Sequence, residues 1–287
     1  MWMFFALCAA GCFGLRGALY HWTSQQPMNR NLMLFGVFVT GALVSTVLVL
    51  LSGQQFSYAA MIGMFMGMFS FAANASMYRG FAVGKASVIA IFTSLPPVVV
   101  VSLAYVIWHE SLTLWQLCAF IVILTGVLLI RYSGDWAAKG IGWGILTMLF
   151  FGFNDLTSKQ STILEADLYP TLFYMFTMGS LLFGLSWLVE KKRSAHHPPV
   201  ADGERSWKPS PTFLWGMLVG TTNISGMIFI MQAFQVGITG LVSAVVSLNV
   251  LLILVYTRLY TKERFTLSEI TGILFCLSGV FLLRTLS

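Results

Sequence analysis

Residues 63–129 read GMFMGMFSFAANASMYRGFAVGKASVIAIFTSLPPVVVVSLAYVIWHESLTLWQLCAFIVILTGVLL, and shifted by 153 positions they fall on residues 216–282 without a gap. Gly63 and Gly67 meet Gly216 and Gly220. Phe81, Val83 and Gly84 meet Phe234, Val236 and Gly237. Ser94-Leu95 meets Ser247-Leu248, Glu110 meets Glu263, and Thr113-Leu114 meets Thr266-Leu267. Gly126, Val127 and Leu129 meet Gly279, Val280 and Leu282. Apolar helices share a small alphabet, so each match alone is weak. A constant offset through three helices and two turns is the mark of a duplication. Towards the start of each half the match thins: Trp2 pairs with Trp143 and Gly11 with Gly152, at an offset of 141.

Composition says where the two copies live. The 287 residues are 57% hydrophobic and 9% charged, whereas soluble domains are near one quarter charged. Ten apolar segments are read, at about 2–20, 31–51, 58–78, 86–107, 113–130, 140–159, 168–189, 212–233, 239–258 and 267–284. A bilayer crossing takes about 20 residues. The expected fold is an all-α integral membrane protein of ten transmembrane helices. The first segment lacks a basic n-region and a small-residue cleavage site, so it reads as a helix and not as a signal peptide.

Five helices separate each residue of the first copy from its partner. Five is odd, so the partner crosses in the opposite direction and the halves form two inverted five-helix repeats. Their bounds are 1–134 and 135–287, with a polar cytoplasmic loop at 190–211. All Lys and Arg except Arg16, Lys159 and Arg284 fall on the side reached after an odd number of helices. Basic residues collect in cytoplasmic loops, so both termini are expected outside. This placement accounts for the net charge of +6 and excludes a nucleic-acid partner.

Local motifs are mostly structural. Gly63-x3-Gly67 and Gly216-x3-Gly220 let helix backbones approach closely, for packing or for sliding. Pro96-Pro97 breaks the hydrogen-bond ladder near mid-membrane and is the expected hinge. The aligned pair is Asn249-Val250, so the kink is expected in one half only. Thr113 with Gln116, and Thr266 with Glu269, fit capping boxes. Glu110 and Glu263 are expected to hold turns at the membrane surface. His196-His197 lies in the polar loop without a third ligand, so no metal is expected. Cys8, Cys12, Cys118 and Cys276 sit in apolar segments and read as buried small hydrophobes.

The doubled halves resemble a known family. Ser94-Leu95-Pro96, then Glu110, Thr113 and Gly126-Val127-Leu128-Leu129, recur as Ser247-Leu248, Glu263, Thr266 and Gly279-Val280-Phe281-Leu282. The pattern is similar to the EamA family of the drug/metabolite transporter superfamily. The resemblance implies ten helices around a central cavity that opens alternately inward and outward. It also implies export of amino acids, metabolites or drugs. Many such relatives are thought to keep both termini inside, which the Lys/Arg bias contradicts here. Asn249 stands where the second proline is expected.

Within the segments the ionisable candidates are Arg16 and Asp155. A charge at mid-membrane costs roughly 2.5–3.5 kcal/mol on insertion scales, which makes it a functional candidate. At about 1.5 Å per residue they are expected to differ in depth by some 15–20 Å, so direct pairing is not expected. Arg16 is expected to bind an anionic substrate group or to snorkel to the headgroups. Asp155 is expected to exchange a coupling proton, or else to bond Asn154, Thr157 or Lys159, the last one turn away. Asn74, Asn154, Asn223, Gln232 and Asn249 are the remaining substrate-binding candidates, set against simple bonding between helices.

These readings favour a secondary transporter, expected to export small organic molecules across the plasma membrane. No G-x4-G-K-[S/T] phosphate loop is present, so ATP is not the direct energy source. The histidines (His21, His109, His196, His197) lie in loops or at segment ends, away from any nucleophile, and an enzyme is not expected. No cofactor is implied. The expected partners are a small-molecule substrate and the bilayer, with a monomer or homodimer as the assembly. The alternative is a lipid or lipid-linked sugar flippase on the same scaffold.

Overall fold

A chain this apolar must satisfy its own backbone in lipid, and helices do so within each segment. The computed structural model describes residues 1–24, 26–83, 89, 92–131, 140–196, 207–261 and 265–286, and every regular element among them is helical. In order they are α1 (Trp2–Ser24), α2 (Arg30–Ser52), a 3-10 turn (Ala59–Ile62) that runs into α3 (Gly63–Val83), α4 (Pro96–Trp108), α5 (Leu114–Arg131), α6 (Ile141–Ile163), α7 (Leu168–His196), α8 (Pro209–Val236), α9 (Thr239–Val246), α10 (Asn249–Thr261) and α11 (Leu267–Leu286).

Their ends follow from local chemistry. Asn29 accepts a hydrogen bond from Leu32 N at 2.9 Å and caps α2. Gly53, at φ 69°, ends that helix in the left-handed conformation. Both capping boxes form: Thr113 N donates to Gln116 Oε1 at 3.0 Å, and Thr266 N donates to Glu269 Oε2 at 2.8 Å. Pro96 and Pro209 each open a helix, where their missing N–H is harmless.

α2 packs between α7 and α8, α3 between α6 and α7, α1 against α8 and α10, and α5 against α11. The largest fully buried side chains are aromatic: Phe38, Phe176, Phe183 and Phe234. Outward-facing positions stay apolar: Leu51 is 79% exposed and Leu267 82%. Such a surface suits lipid, not water. Among the described residues seven spans are long and apolar enough to cross a membrane, while α4 and α5 are apolar but shorter. α6 is 23 residues long, but its inner face carries Asn154, Asp155 and Lys159.

Glycines bring the helices together in pairs of matching contacts. The α-carbon of Gly63 lies against the Thr171 carbonyl and that of Gly67 against the Met175 carbonyl. Gly216 and Gly220 do the same with the carbonyls of Met33 and Val37. Gly126 abuts Gly272 and Cys276, and Gly279 abuts Ala119 and Ile123. In each case the partners are related by the sequence offsets of the two halves. Gly14 packs on Asn249 and Leu252, as Gly152 packs on Pro96 and Val99. The first helices therefore correspond at an offset of 138 (Gly14 to Gly152), not at 141 with Gly11. Around Gly11 an added Cβ would meet nothing within 4 Å.

Three further expectations are corrected. The ninth segment is not one helix: it breaks at Ser247-Leu248, at the positions aligned with Ser94-Leu95, where the fourth segment also breaks. The kink therefore occurs in both halves although only one carries proline. Of the cysteines only Cys276 is buried; Cys8 and Cys12 are half-buried and Cys118 is exposed, because lipid tolerates a thiol on the outer surface as readily as the core does. Glu263 and His197 lie outside the described residues, as do Ala86–Ser87 at the start of the fourth segment.

Candidate functional site

The helix breaks border a cavity of about 170 Å³. Arg16, Asn74, Asn154, Asp155, Asn223, Asn249, Pro96 and Pro97 all line it. Five different helices thus deliver the polar candidates to one space, and α4 adds the prolines. Gln232 does not line it and is half-buried elsewhere on α8.

Arg16 points inward and does not snorkel. Its Nη1 donates to Asn223 Oδ1 on α8, and its guanidinium carbon sits 4.5 Å from the Phe13 ring centre and 5.8 Å from that of Tyr20. Stacking of this kind suits a planar, weakly hydrated cation.

Asp155 takes its hydrogen bond from a residue that sequence reading missed. Ser243 Oγ, on the short helix α9, donates to Asp155 Oδ2 at 2.7 Å. Among the described residues no cation lies within ion-pair distance of Asp155. Lys159, expected one turn away as its partner, turns to a different group. Its Nζ donates to Phe234 O at 2.8 Å and to Gly237 O at 3.3 Å, and lies 3.6 Å from Glu110 Oε1.

Two amides complete the polar lining. Asn74 Nδ2 donates to Ser70 O, one turn back on its own helix, at 2.7 Å. Asn154 is buried and its Oδ1 has no hydrogen-bond partner. Leaving such an oxygen unpaired costs roughly 1–3 kcal/mol, a cost that a bound donor removes. Ser70, Thr93, Ser243 and Ser247 also line the cavity. Their signal was small hydroxyls spaced four apart in apolar helices, as with Ser243 and Ser247, but a hydroxyl that bonds its own helix looks the same in sequence.

Among the described residues no group of three or more His, Cys, Asp or Glu could hold a metal ion. The arrangement offers a fixed cation, a carboxylate and several amides within a partly apolar wall.

A multi-pass helical membrane protein with a polar cavity at broken helices is the class so defined. The EamA-like transporter family matches residues 1–132 and again residues 138–285. The chain belongs to this family, within the drug/metabolite transporter superfamily. No curated protein matches its sequence. A solved crystal structure shares the fold, with a TM-score of 0.74 at 11% identity over 99% of both chains.

Proposed function

We propose that this protein is a secondary transporter that exports small organic molecules (metabolites, amino acids or drugs) across the plasma membrane by alternating access. In this reading ten crossings form two inverted five-helix repeats, 1–134 and 135–287. The matching glycine contacts, the paired helix breaks and the double family match support that arrangement. The observation that carries the function is the cavity, which gathers Arg16, Asp155 and four asparagines from both halves at mid-helix depth.

Arg16 anchors an anionic group, the asparagines orient the ligand, and Asp155 exchanges the coupling proton. Both helix breaks line the cavity: Pro96-Pro97 at one, Ser247 and Asn249 at the other. A transporter needs such contacts, because a ligand shifts a conformational equilibrium only through its different affinity for the two states.

The test is thermal stabilisation of the purified protein by a panel of amino acids, sugars, nucleotides and cationic drugs, followed by uptake into proteoliposomes. A ligand at 100 times its Kd adds about 2.7 kcal/mol. Stabilisation by one water-soluble class, lost in Arg16→Gln, supports the reading. Loss of proton-driven uptake with retained exchange in Asp155→Asn supports coupling through that carboxyl. Stabilisation by phospholipid or polyprenyl phosphate headgroups alone would overturn solute export.

A further inference from the structure

The cavity lining stops at the same level on three helices. On α6 the last lining residue is Asp155, one turn before Lys159. On α8 it is Ile230, one turn before Phe234. On α9 it is Ser243, one turn after Thr239. On the far side of that level stands one polar node. Glu110, in the turn after α4, accepts from Thr239 N at 2.8 Å through Oε2 and from Thr239 Oγ1 at 2.9 Å through Oε1. Lys159 lies 3.6 Å from Glu110 and donates to the carbonyls of Phe234 and Gly237.

Each contact there satisfies a helix end. α9 begins at Thr239 after Ile238, which makes no side-chain cap, so Glu110 supplies the missing acceptor from another part of the chain. The negative charge also suits a helix N-terminus, and the Lys159 ammonium suits the C-terminus of α8. Trp108 Nε1 donates to Gln160 Oε1 at 3.0 Å beside the node, so the α4–α5 turn is tied twice to α6. Lys159 and Glu110 side chains are only 13% and 20% exposed.

The node and the site share two helices. Asp155 and Lys159 lie one turn apart on α6, and Ser243 and Thr239 lie one turn apart on α9. Asp155 meets Ser243, and Lys159 reaches Thr239 through Glu110. The two helices are thus closed by two successive polar rungs, the first inside the cavity and the second sealing it.

We propose that Glu110 and Lys159 form the closure of the cavity at the C-terminal end of α6, and that it opens in the transport cycle. The proposal rests on the transporter reading and names the moving contact. A ligand that draws the Ser243 hydroxyl from Asp155 removes the inner rung, and the outer rung then holds alone. Neither member touches the ligand; both act by positioning α9.

The experiment places one thiol, Met77→Cys on the cavity wall, in a chain whose Cys8, Cys12, Cys118 and Cys276 are replaced by serine or alanine. Alkylation by a charged, membrane-impermeant maleimide is timed from each face of sealed vesicles. With the closure native, labelling is fast from the face opposite the node and slow from the node's face. Lys159→Met and Glu110→Gln raise the slow rate about tenfold, since one charge-assisted contact biases a two-state closure by about that factor. Lys159→Arg, which keeps the cation, retains protection. Equal labelling from both faces in the native closure overturns the proposal, as does an unchanged slow rate in variants that melt like their parent. If the variants do not fold, the native two-face comparison decides by itself. One-sided protection in a protein that moves no solute would sink the transport reading and leave the closure standing. Solute movement with two-sided labelling would do the reverse.

Discussion

Gly126 gives the sharpest test of how α5 and α11 meet. A Cβ placed there would lie 2.6 Å from Gly272 O and 2.7 Å from Cys276 N. Both are backbone atoms and cannot rotate away, so Gly126→Ala has to push the two helices apart by several tenths of an ångström. Overpacking of this kind costs roughly 1–3 kcal/mol. At the equivalent Gly279 the nearest atom is Ile123 Cγ1 at 2.5 Å, with Ala119 O next at 3.1 Å. A side chain gives way more easily, so Gly279→Ala should cost less. Gly11→Ala is the control. It meets nothing within 4 Å and gains up to about 1 kcal/mol of helix propensity. Cys276 is buried in this seam and reports its opening. In a chain that keeps Cys276 as its one thiol, a thiol-reactive dye followed during heating should react earliest in Gly126→Ala, then in Gly279→Ala, and last in Gly11→Ala. A Gly126→Ala protein that melts with its parent would mean the two backbones are not in contact, and the packing argument for the two halves would lose its best pair.

Other perturbations reach the site and its turn. Arg16→Lys keeps the charge but loses the Nη1 hydrogen bond to Asn223 and the stacking on Phe13; the affinity for an anionic substrate, measured by thermal shift, should fall about tenfold. Ser243→Ala deletes the donor to Asp155. A hydrogen bond to a charged group is worth about 1.5–3 kcal/mol, so the uptake rate should drop about tenfold or more, short of the loss in Asp155→Asn, with the protein still folded. His109 ends α4 at φ 56°, where His109→Gly should stabilise by up to about 1 kcal/mol in thermal unfolding. His109→Val should destabilise, since a β-branched residue fits that region poorly.

The duplication was legible because its offset stays constant from α3 onward. The earlier register was not. Gly11 and Gly14 are equally plausible partners for Gly152 by letter, and only the contacts with Asn249 and Leu252 decide for Gly14. The break in the ninth segment was invisible for a related reason. Pro96-Pro97 announces itself, whereas Ser247-Leu248-Asn249 contains no breaker. Polar residues in apolar helices marked the site well, but depth does not reveal a helix face. Asn223, Met227 and Ile230 line the cavity at four- and three-residue steps. Gln232, two residues past Ile230, points about 200° around the helix.

The corrected register bears on how the two ionisable candidates relate. At an offset of 138, Arg16 corresponds to Asn154 and Gly17 to Asp155. Each half therefore contributes an adjacent pair at one level of its first helix, and the duplication has placed the cation in one copy and the carboxylate in the other. Symmetric packing with asymmetric charge gives the ligand an orientation that two identical halves cannot supply.

Glu110 serves both fold and closure, and the two roles can be separated. Glu110→Gln weakens the cap on α9 as well as the contact with Lys159, so its loss of stability alone says nothing about gating. Ile238, at φ −68° and ψ 126°, already has the extended backbone of an N-cap but no side-chain acceptor. Ile238→Ser supplies one locally, and a serine in that position typically returns about 0.5–2 kcal/mol. The Glu110→Gln, Ile238→Ser double variant should therefore melt close to wild type. Its cavity thiol should remain open to the impermeant reagent from the node's face, because the local cap restores the helix and not the tie to Lys159. If the double variant regains both stability and protection, Glu110 acts through the α9 cap alone and the ion pair with Lys159 holds nothing shut.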